Sequence, residues 1–307
     1  MPAVLVAAGV VLSVLLSGTS SPSFFHLHHS GQVELNTKQG MVAPSKHALV
    51  IGASSGIGLG VAKELAPIVA KLTLCSRSYP EELLKTIKAD NPNVEVVHEK
   101  LDVSLMHEVR KFTTKHVETQ FDWIVMSPGI FSMDGRTETP KAWIFMLIHD
   151  LLGGLNRPGV RVLNVLGGGQ GGNVDVDDLD LQRAYSPRSC AQATMQYSDL
   201  MAQAFSERAP NACFIHASPG FVSTGVANNA PWYVRLPFKG LASVFARTPE
   251  ACAKHMVSAL LNDNYATGWK LLDHNANELA KTQYQTEALK DAVWKHTLKT
   301  IDDILQQ

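Results

Sequence analysis

A glycine-rich turn at residues 52–58 constrains the fold of this chain more than any other feature. The turn has the spacing Gly-x-x-x-Gly-x-Gly and reads Gly52-Ala53-Ser54-Ser55-Gly56-Ile57-Gly58. It follows an apolar run at 47–51, typical of a buried strand, and precedes residues 57–66, whose apolar side chains recur at helical spacing. Glycines let the backbone turn tightly and approach a phosphate, and a helix N-terminus offers free N–H groups and partial positive charge. The segment therefore predicts a diphosphate site between a strand and a helix.

The rest of the chain alternates between apolar runs of strand length and segments with helical periodicity. Further strands are predicted at 72–75, 94–97, 121–126, 160–166, 212–217 and 268–272. Further helices are predicted at 80–89, 104–116, 189–207, from 249 onward and at 288–305. The strand runs are apolar on both faces, which is typical of a parallel sheet covered by helices on both sides. We expect an α/β fold with a doubly wound parallel sheet (Rossmann-type) in a single domain.

Composition excludes several classes of protein. With 307 residues, 45% of them hydrophobic, the chain can bury a sizeable core. The formal charge of −1 predicts no general attraction to nucleic acid. The four cysteines are scattered without a Cys-x-x-Cys pair, so we expect neither a disulfide framework nor a metal site. His26, His28 and His29 have no thiol or carboxylate near them in sequence, which favours a solvated linker over a metal site.

The amino terminus leaves two alternatives open. Residues 2–17 are apolar and uncharged, but a full membrane span needs about 20 residues. No basic residue precedes this run, and the chain has no Asn-x-Ser/Thr sequon. We expect a leader or anchor at 1–17, a linker at 18–46 and the nucleotide-binding domain at 47–307. That domain is expected in the cytoplasm, either held at a membrane through residues 2–17 or preceded by a non-functional leader.

Five short segments, in chain order, resemble the short-chain dehydrogenases/reductases over roughly residues 46–275. They are the glycine turn, Arg77 after the second strand, Leu101-Asp102-Val103, Ser127-Pro128-Gly129 and the sequence Ser-Pro-Gly-Phe-Val-Ser-Thr at 218–224. Residues 177–181 and the motif around Pro219 are similar to a divergent fungal branch of that family.

The resemblance implies a dinucleotide site. Asp102 would accept a hydrogen bond from the adenine amino group, although a carboxylate there could also cap the helix that follows. Gly129 would lie against the adenosine ribose, and Thr224 would bond the nicotinamide carboxamide. The implied cofactor residues are Gly52, Ser54, Ser55, Gly56, Ile57, Gly58, Arg77, Asp102, Val103, Gly129, Pro219, Gly220, Val222 and Thr224.

The end of the second strand predicts NADP(H) rather than NAD(H). An NAD site usually has an acidic residue there, which bonds the ribose hydroxyls and repels a 2′-phosphate. This chain has Cys75-Ser76-Arg77-Ser78 instead. A guanidinium matches the geometry of a phosphate, although Arg77 could also be a solvated loop charge.

The catalytic half of the family signature is incomplete. The family places a Ser after the fifth strand and a Tyr-x-x-x-Lys on the next helix, whereas this chain has Gly167 at the Ser position. Tyr185 is the candidate proton donor, with Ser189 where the Lys belongs; Tyr197 is a second candidate that also lacks the Lys. The segment from Gly129 to Gly167 is short for the family. We therefore expect most of a helix near 139–151 to be missing.

Two classes of function follow. The first is an NADP(H)-dependent oxidoreductase acting on a small lipophilic carbonyl or alcohol, in secondary metabolism and as a homo-oligomer. Its substrate would lie under a loop at 231–245 that carries Trp232, Tyr233, Leu236, Phe238 and Phe245, although these could also be ordinary core residues. The second class is a nucleotide-binding pseudoenzyme or a non-redox enzyme on the same fold.

Overall fold

The computed structural model describes residues 45–129, 142–225, 228 and 232–306. Seven strands form one parallel sheet in the order β3-β2-β1-β4-β5-β6-β7. The strands are β1 His47–Ile51, β2 Lys71–Ser76, β3 Glu95–Lys100, β4 Trp123–Met126, β5 Arg161–Val165, β6 Cys213–Ala217 and β7 Gly268–Leu272. The helices in this part of the chain are α1 Gly56–Leu65, α2 Glu81–Asp90, α3 Met106–His116, α4 Trp143–Leu155, α5 Pro187–Arg208, α6 Trp232–Phe245, α7 Pro249–Leu261 and α8 Glu287–Leu305.

The strand order creates a crevice beside β1. Strand β1 pairs with β2 on one side and with β4 on the other, so that Ile51 lies opposite both Cys75 and Met126. The chain runs outward from β1 through β2 to β3 and then returns to β4 on the other side. In sheets of this kind, ligands bind outside the carboxyl ends of the strands where the order reverses. The glycine turn follows β1 at this point.

Helices cover both faces of the sheet, as the apolar runs predict. Along β1, Ala48 and Val50 face one core, while Leu49 and Ile51 face the other, and all four are almost fully buried. The first core includes residues of α1 and α7, and the second includes residues of α3, α4, α5 and α8. The expected single Rossmann-type domain is confirmed.

The expectation that most of a helix is missing near 139–151 is wrong. Helix α4 has 13 residues, and seven of them are buried in the second core. Its sequence, WIFMLIHDLLGGL, is apolar around most of its circumference and ends in a glycine pair. The expectation rested on the short segment from Gly129 to Gly167, and that segment still accommodates the helix. The shortened segment therefore retains this helix; residues 130–141 lie outside the described part.

The segment at 231–245, expected as a loop, is also helical. Helix α6 runs from Trp232 to Phe245 with Pro237 inside it. The loop was expected from the family resemblance. A proline within a helix removes one backbone hydrogen bond and usually marks a break. The apolar residues around Pro237 continue the helix on both sides.

The helix predicted from 249 onward begins at Pro249. Thr248 caps it, and the Thr248 hydroxyl accepts a hydrogen bond from the Ala251 amide at 3.1 Å. Strand β7 lies at one edge of the sheet. All four cysteines are free, and the described residues contain no cluster suited to a metal ion. Within those residues, no helix combines the length and apolarity that crossing a bilayer requires. Residues 1–44, with the leader, most of the linker and the three histidines, lie outside the description.

Candidate functional site

The glycine turn has the backbone geometry that its sequence predicts. Gly52 and Gly56 adopt positive φ angles of 89° and 56°, which L side chains rarely adopt. The amides of Gly52 and Ala53 both donate to the Cys75 carbonyl oxygen, at 2.9 and 3.2 Å, which ties the turn to β2.

Helix α1 begins against this turn. A Cβ atom on Gly58 would lie 2.6 Å from Ser127 Oγ and 2.8 Å from the Gly52 carbonyl carbon, so only glycine fits. Ser55 is the exposed N-cap residue, and its side chain makes no capping bond to the first turn of α1. Ser54 and Ile57 are half-buried. First-turn amides are therefore available to an anion at this helix terminus.

Residues 218–224, which follow β6, also lie beside the glycine turn. A Cβ on Gly56 would lie 3.4 Å from Thr224 Cγ2, so these two residues, 168 positions apart, are neighbours. A parallel bridge holds the segment in place: the Ser223 amide donates to the Arg247 carbonyl, and the Arg247 amide donates to the Phe221 carbonyl, both at 3.0 Å. The predicted diphosphate turn and the predicted nicotinamide segment are therefore neighbours.

The turn at Pro219-Gly220 is also closely packed. Gly220 has a positive φ of 68°, and a Cβ there would lie 2.8 Å from His274 Cβ. Val222 is buried in the first core. The positive φ and the close approach of His274 both require glycine at position 220.

Arg77 and Asp102 lie at the carboxyl ends of the neighbouring strands β2 and β3. Asp102 Oδ1 accepts hydrogen bonds from the Ser104 amide at 3.0 Å and from the Ser104 hydroxyl at 2.7 Å. The Ser104 hydroxyl is the main reason that the pKa of Asp102 is lowered, and the positive charge of Arg77 adds to the effect. Oδ1 thus holds the turn at Ser104, and it does not cap α3, whose N-cap residue is Leu105. Arg77 itself is exposed, as a residue that binds a phosphate requires.

Two further cofactor candidates differ in exposure. Val103 is half-buried and packs against the second core. Gly129 is exposed after β4, and none of the described residues has an atom within 4 Å of the position that its Cβ would take.

Gly167, at the position of the family's Ser, faces a methionine. A Cβ on Gly167 would collide with Met195 Sδ and would lie 2.8 Å from Met195 Cγ. Met195 belongs to α5, and the sequence did not single it out as a site residue. The space that a serine side chain would need at this position is filled by a thioether.

A buried histidine–aspartate pair holds the loop that begins at Gly167. The Gly167 amide donates to His216 Nε2 at 3.1 Å, so Nε2 must be the acceptor and Nδ1 must carry the proton. His216 Nδ1 then donates to Asp199 Oδ1 at 2.6 Å, and the Gly169 amide donates to the same oxygen at 3.1 Å. Both side chains are fully buried. The pair fixes the backbone of the loop and was not identified from the sequence.

The glycine run at 167–172 is explained by close packing. A Cβ on Gly168 would lie 2.8 Å from the His216 carbonyl carbon, and one on Gly171 would lie 2.6 Å from Gln196 Cα. Larger residues would therefore separate the loop from β6 and α5.

Tyr185 lies two residues before α5 and is half-buried. Burial is the main reason that its pKa is raised, with a smaller contribution from Cys190. Ser189, at the position of the family's Lys, completes a capping box: its amide donates to Ser186 Oγ at 3.0 Å, and its Oγ accepts from the Ser186 amide at 2.8 Å. Position 189 thus stabilises the start of a helix.

Tyr197 has a different environment. Its hydroxyl donates to the Leu179 carbonyl oxygen at 2.8 Å, and burial strongly raises its pKa. Its proton is committed to a backbone carbonyl, which makes Tyr197 a poor candidate for a proton donor.

Comparisons with known proteins agree with the fold and the glycine turn. Residues 46–168 match the family model of the short chain dehydrogenases. An oxidoreductase of Emericella nidulans is 27% identical over 204 residues, and the match spans 61% of each chain, so less than two thirds of that relative is covered. Human polyprenol dehydrogenase is 26% identical over 234 residues, covering 67% of this chain and 70% of the relative.

Solved structures share the fold at lower identity. A NADPH dependent reductase involved in bacilysin biosynthesis superposes with a TM-score of 0.56 at 18% identity, covering 78% of this chain and all of that one. The solved structure shows a shared fold, and the sequence matches show a resemblance to the short chain dehydrogenases.

Proposed function

We propose that this chain, which resembles the short-chain dehydrogenases/reductases in sequence and fold, is an NADP(H)-dependent oxidoreductase of a lipophilic carbonyl or alcohol. The observation that carries the proposal is the contact between Gly56 and Thr224 beside β1. It places the predicted diphosphate turn and the predicted nicotinamide segment side by side at the reversal of strand order, where a dinucleotide binds in folds of this kind.

The residues present fit a dinucleotide phosphate. Uncapped amides at the start of α1 suit the diphosphate, and Arg77 suits a 2′-phosphate because nothing acidic stands at the end of β2. Gly129 suits the ribose because it is exposed at the end of β4 and adds no side chain there. Thr224 would hold the carboxamide. When bound, NADPH supplies the hydride.

Tyr185 would supply the proton. In carbonyl reduction the carbon gains a hydride and the oxygen gains a proton, which the Tyr185 hydroxyl would release to the developing alkoxide. Because its pKa is raised above the ordinary phenol value of about 10, Tyr185 keeps its proton at neutral pH. At neutral pH it therefore carries the proton that carbonyl reduction consumes and is not available as a base, so we propose that reduction is the favoured direction.

The lipophilic substrate class is supported by α6. This helix follows the Thr224 segment and exposes apolar side chains, Trp232 and Leu236 among them. One relative is named for its action on polyprenol, a long lipophilic alcohol. We propose that α6 forms the substrate cover near the nicotinamide end of the site.

Isothermal titration of the protein with NADPH and NADH tests the cofactor proposal. We expect tighter binding of NADPH, and we expect Arg77→Gln to reduce that preference at least ten-fold because a charge-assisted bond to phosphate is lost. Lys88→Gln removes an exposed positive charge near the other end of α2 and serves as the matched control. Equal affinity for the two nucleotides, or equal effects of the two substitutions, would refute the assignment of Arg77.

A second candidate function is nucleotide binding without redox chemistry. The close approach of Gly167 to Met195 favours this candidate, because the Met195 side chain occupies the space that a catalytic serine would need. Measuring NADPH consumption against a panel of ketones and aldehydes separates the two candidates. Binding without consumption of any substrate supports the second, and failure to bind either nucleotide removes both.

A further inference from the structure

Helix α6 exposes an unusual amount of apolar surface for one short element. Among the side chains of this helix that the structure describes, five large apolar ones are exposed, by 38% for Tyr233 and up to 71% for Val244. The five are Trp232, Tyr233, Leu236, Val244 and Phe245. Exposed apolar residues that are scattered singly need no explanation, but a contiguous group marks an interaction surface.

The exposed residues of α6 lie mainly on one face. Positions 232, 236, 240 and 244 are spaced four apart and are all exposed, and 233 and 237 lie beside them. Ala242 is buried, so the helix rests on the protein through its other side. The exposed face combines two aromatic residues with Leu236, Pro237 and Val244.

In the stretch of sequence that contains α6, all charged side chains are positive. No aspartate or glutamate occurs between Glu207 and Glu250, whereas α6 contains Arg235 and Lys239. The whole chain carries a formal charge of −1, so this positive region contrasts with the rest. A second copy docking face to face would bring two positive helices together. An anionic lipid surface instead accepts the apolar face at the boundary between its headgroups and acyl chains and attracts the positive side chains.

We propose that α6 docks in the plane of an anionic phospholipid bilayer. With 14 residues the helix is about 21 Å long, too short to cross a hydrocarbon core of about 30 Å. A helix of this kind lies at the interface with its apolar face inserted among the headgroups, where Trp and Tyr are favoured. Its basic residues gain from the negative surface potential. The docking does not require nucleotide binding; joined to the proposed function, it would let a lipophilic substrate enter from the bilayer.

Tryptophan quenching in the full-length protein tests this assignment independently of residues 1–44. Trp232 is exposed, whereas Trp123 and Trp143 are buried and Trp269 and Trp294 are partly buried. Subtracting the emission of Trp232→Phe from that of the unmodified protein therefore isolates Trp232. We expect phosphatidylcholine–phosphatidylserine vesicles with brominated acyl chains to quench this difference signal, more strongly than phosphatidylcholine vesicles and less strongly at high salt. Arg235→Gln should reduce vesicle partitioning about five-fold, which corresponds to ~1 kcal/mol per basic residue.

The substitution Leu236→Asp should abolish the quenching of Trp232. Leu261→Asp is its matched control, because Leu261 is an exposed leucine on α7. If the protein binds vesicles while Trp232 remains unquenched, another segment makes the contact and the proposal is wrong. If Trp232 is unquenched in every vesicle, α6 serves only as a cover within the protein. NADPH titration of the same variants is a separate readout: quenching without nucleotide binding would refute the proposed function alone.

Discussion

Replacing Gly58 with alanine should weaken both the fold and nucleotide binding. The added methyl group would lie 2.6 Å from Ser127 Oγ and 2.8 Å from the Gly52 carbonyl carbon, distances that real Cβ atoms essentially never show. Because the Gly52 contact is with backbone atoms, α1 and the glycine turn must move apart. Overpacking of this kind costs about 1–3 kcal/mol, and in a domain of this size ~2 kcal/mol lowers the melting temperature by roughly 4–8 °C.

The same displacement should weaken the diphosphate site. If it removes one charge-assisted hydrogen bond between an amide and phosphate, the loss of about 1.5–3 kcal/mol corresponds to a Kd for NADPH that is roughly ten- to a hundred-fold higher. Thermal unfolding and isothermal titration measure the two effects on one preparation.

Gly153→Ala is the matched control for this substitution. Gly153 lies in α4 and is exposed, with no atom within 4 Å of its Cβ position. Alanine is favoured over glycine in a helix by up to about 1 kcal/mol, so this variant should be slightly more stable and should bind NADPH normally. If Gly58→Ala has the melting temperature of the wild type and a Kd for NADPH within about two-fold of it, the close approach of α1 to the turn is refuted.

Three further predictions concern the catalytic half and the pH dependence of stability. Tyr185→Phe should lower the turnover of carbonyl reduction by at least about 100-fold, since general acids contribute roughly 10²–10⁴-fold. Because the pKa of Tyr185 is raised, alcohol oxidation by the unmodified protein should rise only at strongly alkaline pH. A loss within about threefold would show that this tyrosine is structural. Gly167→Ser should destabilise the protein in urea through its collision with Met195, and Met195→Ala in the same chain should restore stability; unchanged unfolding of the single variant would contradict the contact. Burial and then the charge of Lys71 lower the pKa of His47 from 6.5 to about 4, so its stabilising contribution is complete above pH 6.5 and is lost as the pH falls toward 4. His47→Asn should reduce the loss in the free energy of unfolding between pH 6.5 and 4 by about 1–2 kcal/mol. This is less than the full pKa shift implies, because solvent screens a half-buried group. If urea titrations show the same loss in the variant, His47 is not its source.

The sequence predicted most of the sheet because its strand runs are largely apolar. The predicted bounds of β1 and β7 match the structure, whereas β3, which is more polar and partly exposed, lies at Glu95–Lys100 rather than at 94–97. Helix α4 was expected to be mostly missing because the segment that carries it is short, and the α6 segment was expected to be a loop because the family resemblance implies one. In both cases burial or local packing, which the resemblance does not specify, decides the structure.

The candidate site shows the same division. Gly52, Gly56 and Gly58 could be predicted because positive φ angles and close backbone contacts exclude other residues, and such restrictions leave a trace in the sequence. The contact of Gly167 with Met195 could not, because it depends on where a flexible side chain packs between residues 28 positions apart. The pairing of Asp199 with His216 likewise depends on the rotation of α5 relative to β6.

The histidine–aspartate pair bears on which chemistry remains open to this site. His216 uses both ring nitrogens, one as an acceptor for the Gly167 amide and one as a donor to Asp199, and it is fully buried. Releasing a proton to a substrate would break one of these bonds and free the loop that they hold. The loop itself packs too closely against β6 and α5 to carry a side chain at Gly167, Gly168 or Gly171. The proposed proton donor is Tyr185, which the family resemblance implies. The redox proposal therefore depends on Tyr185 more heavily than in a protein that keeps the complete signature.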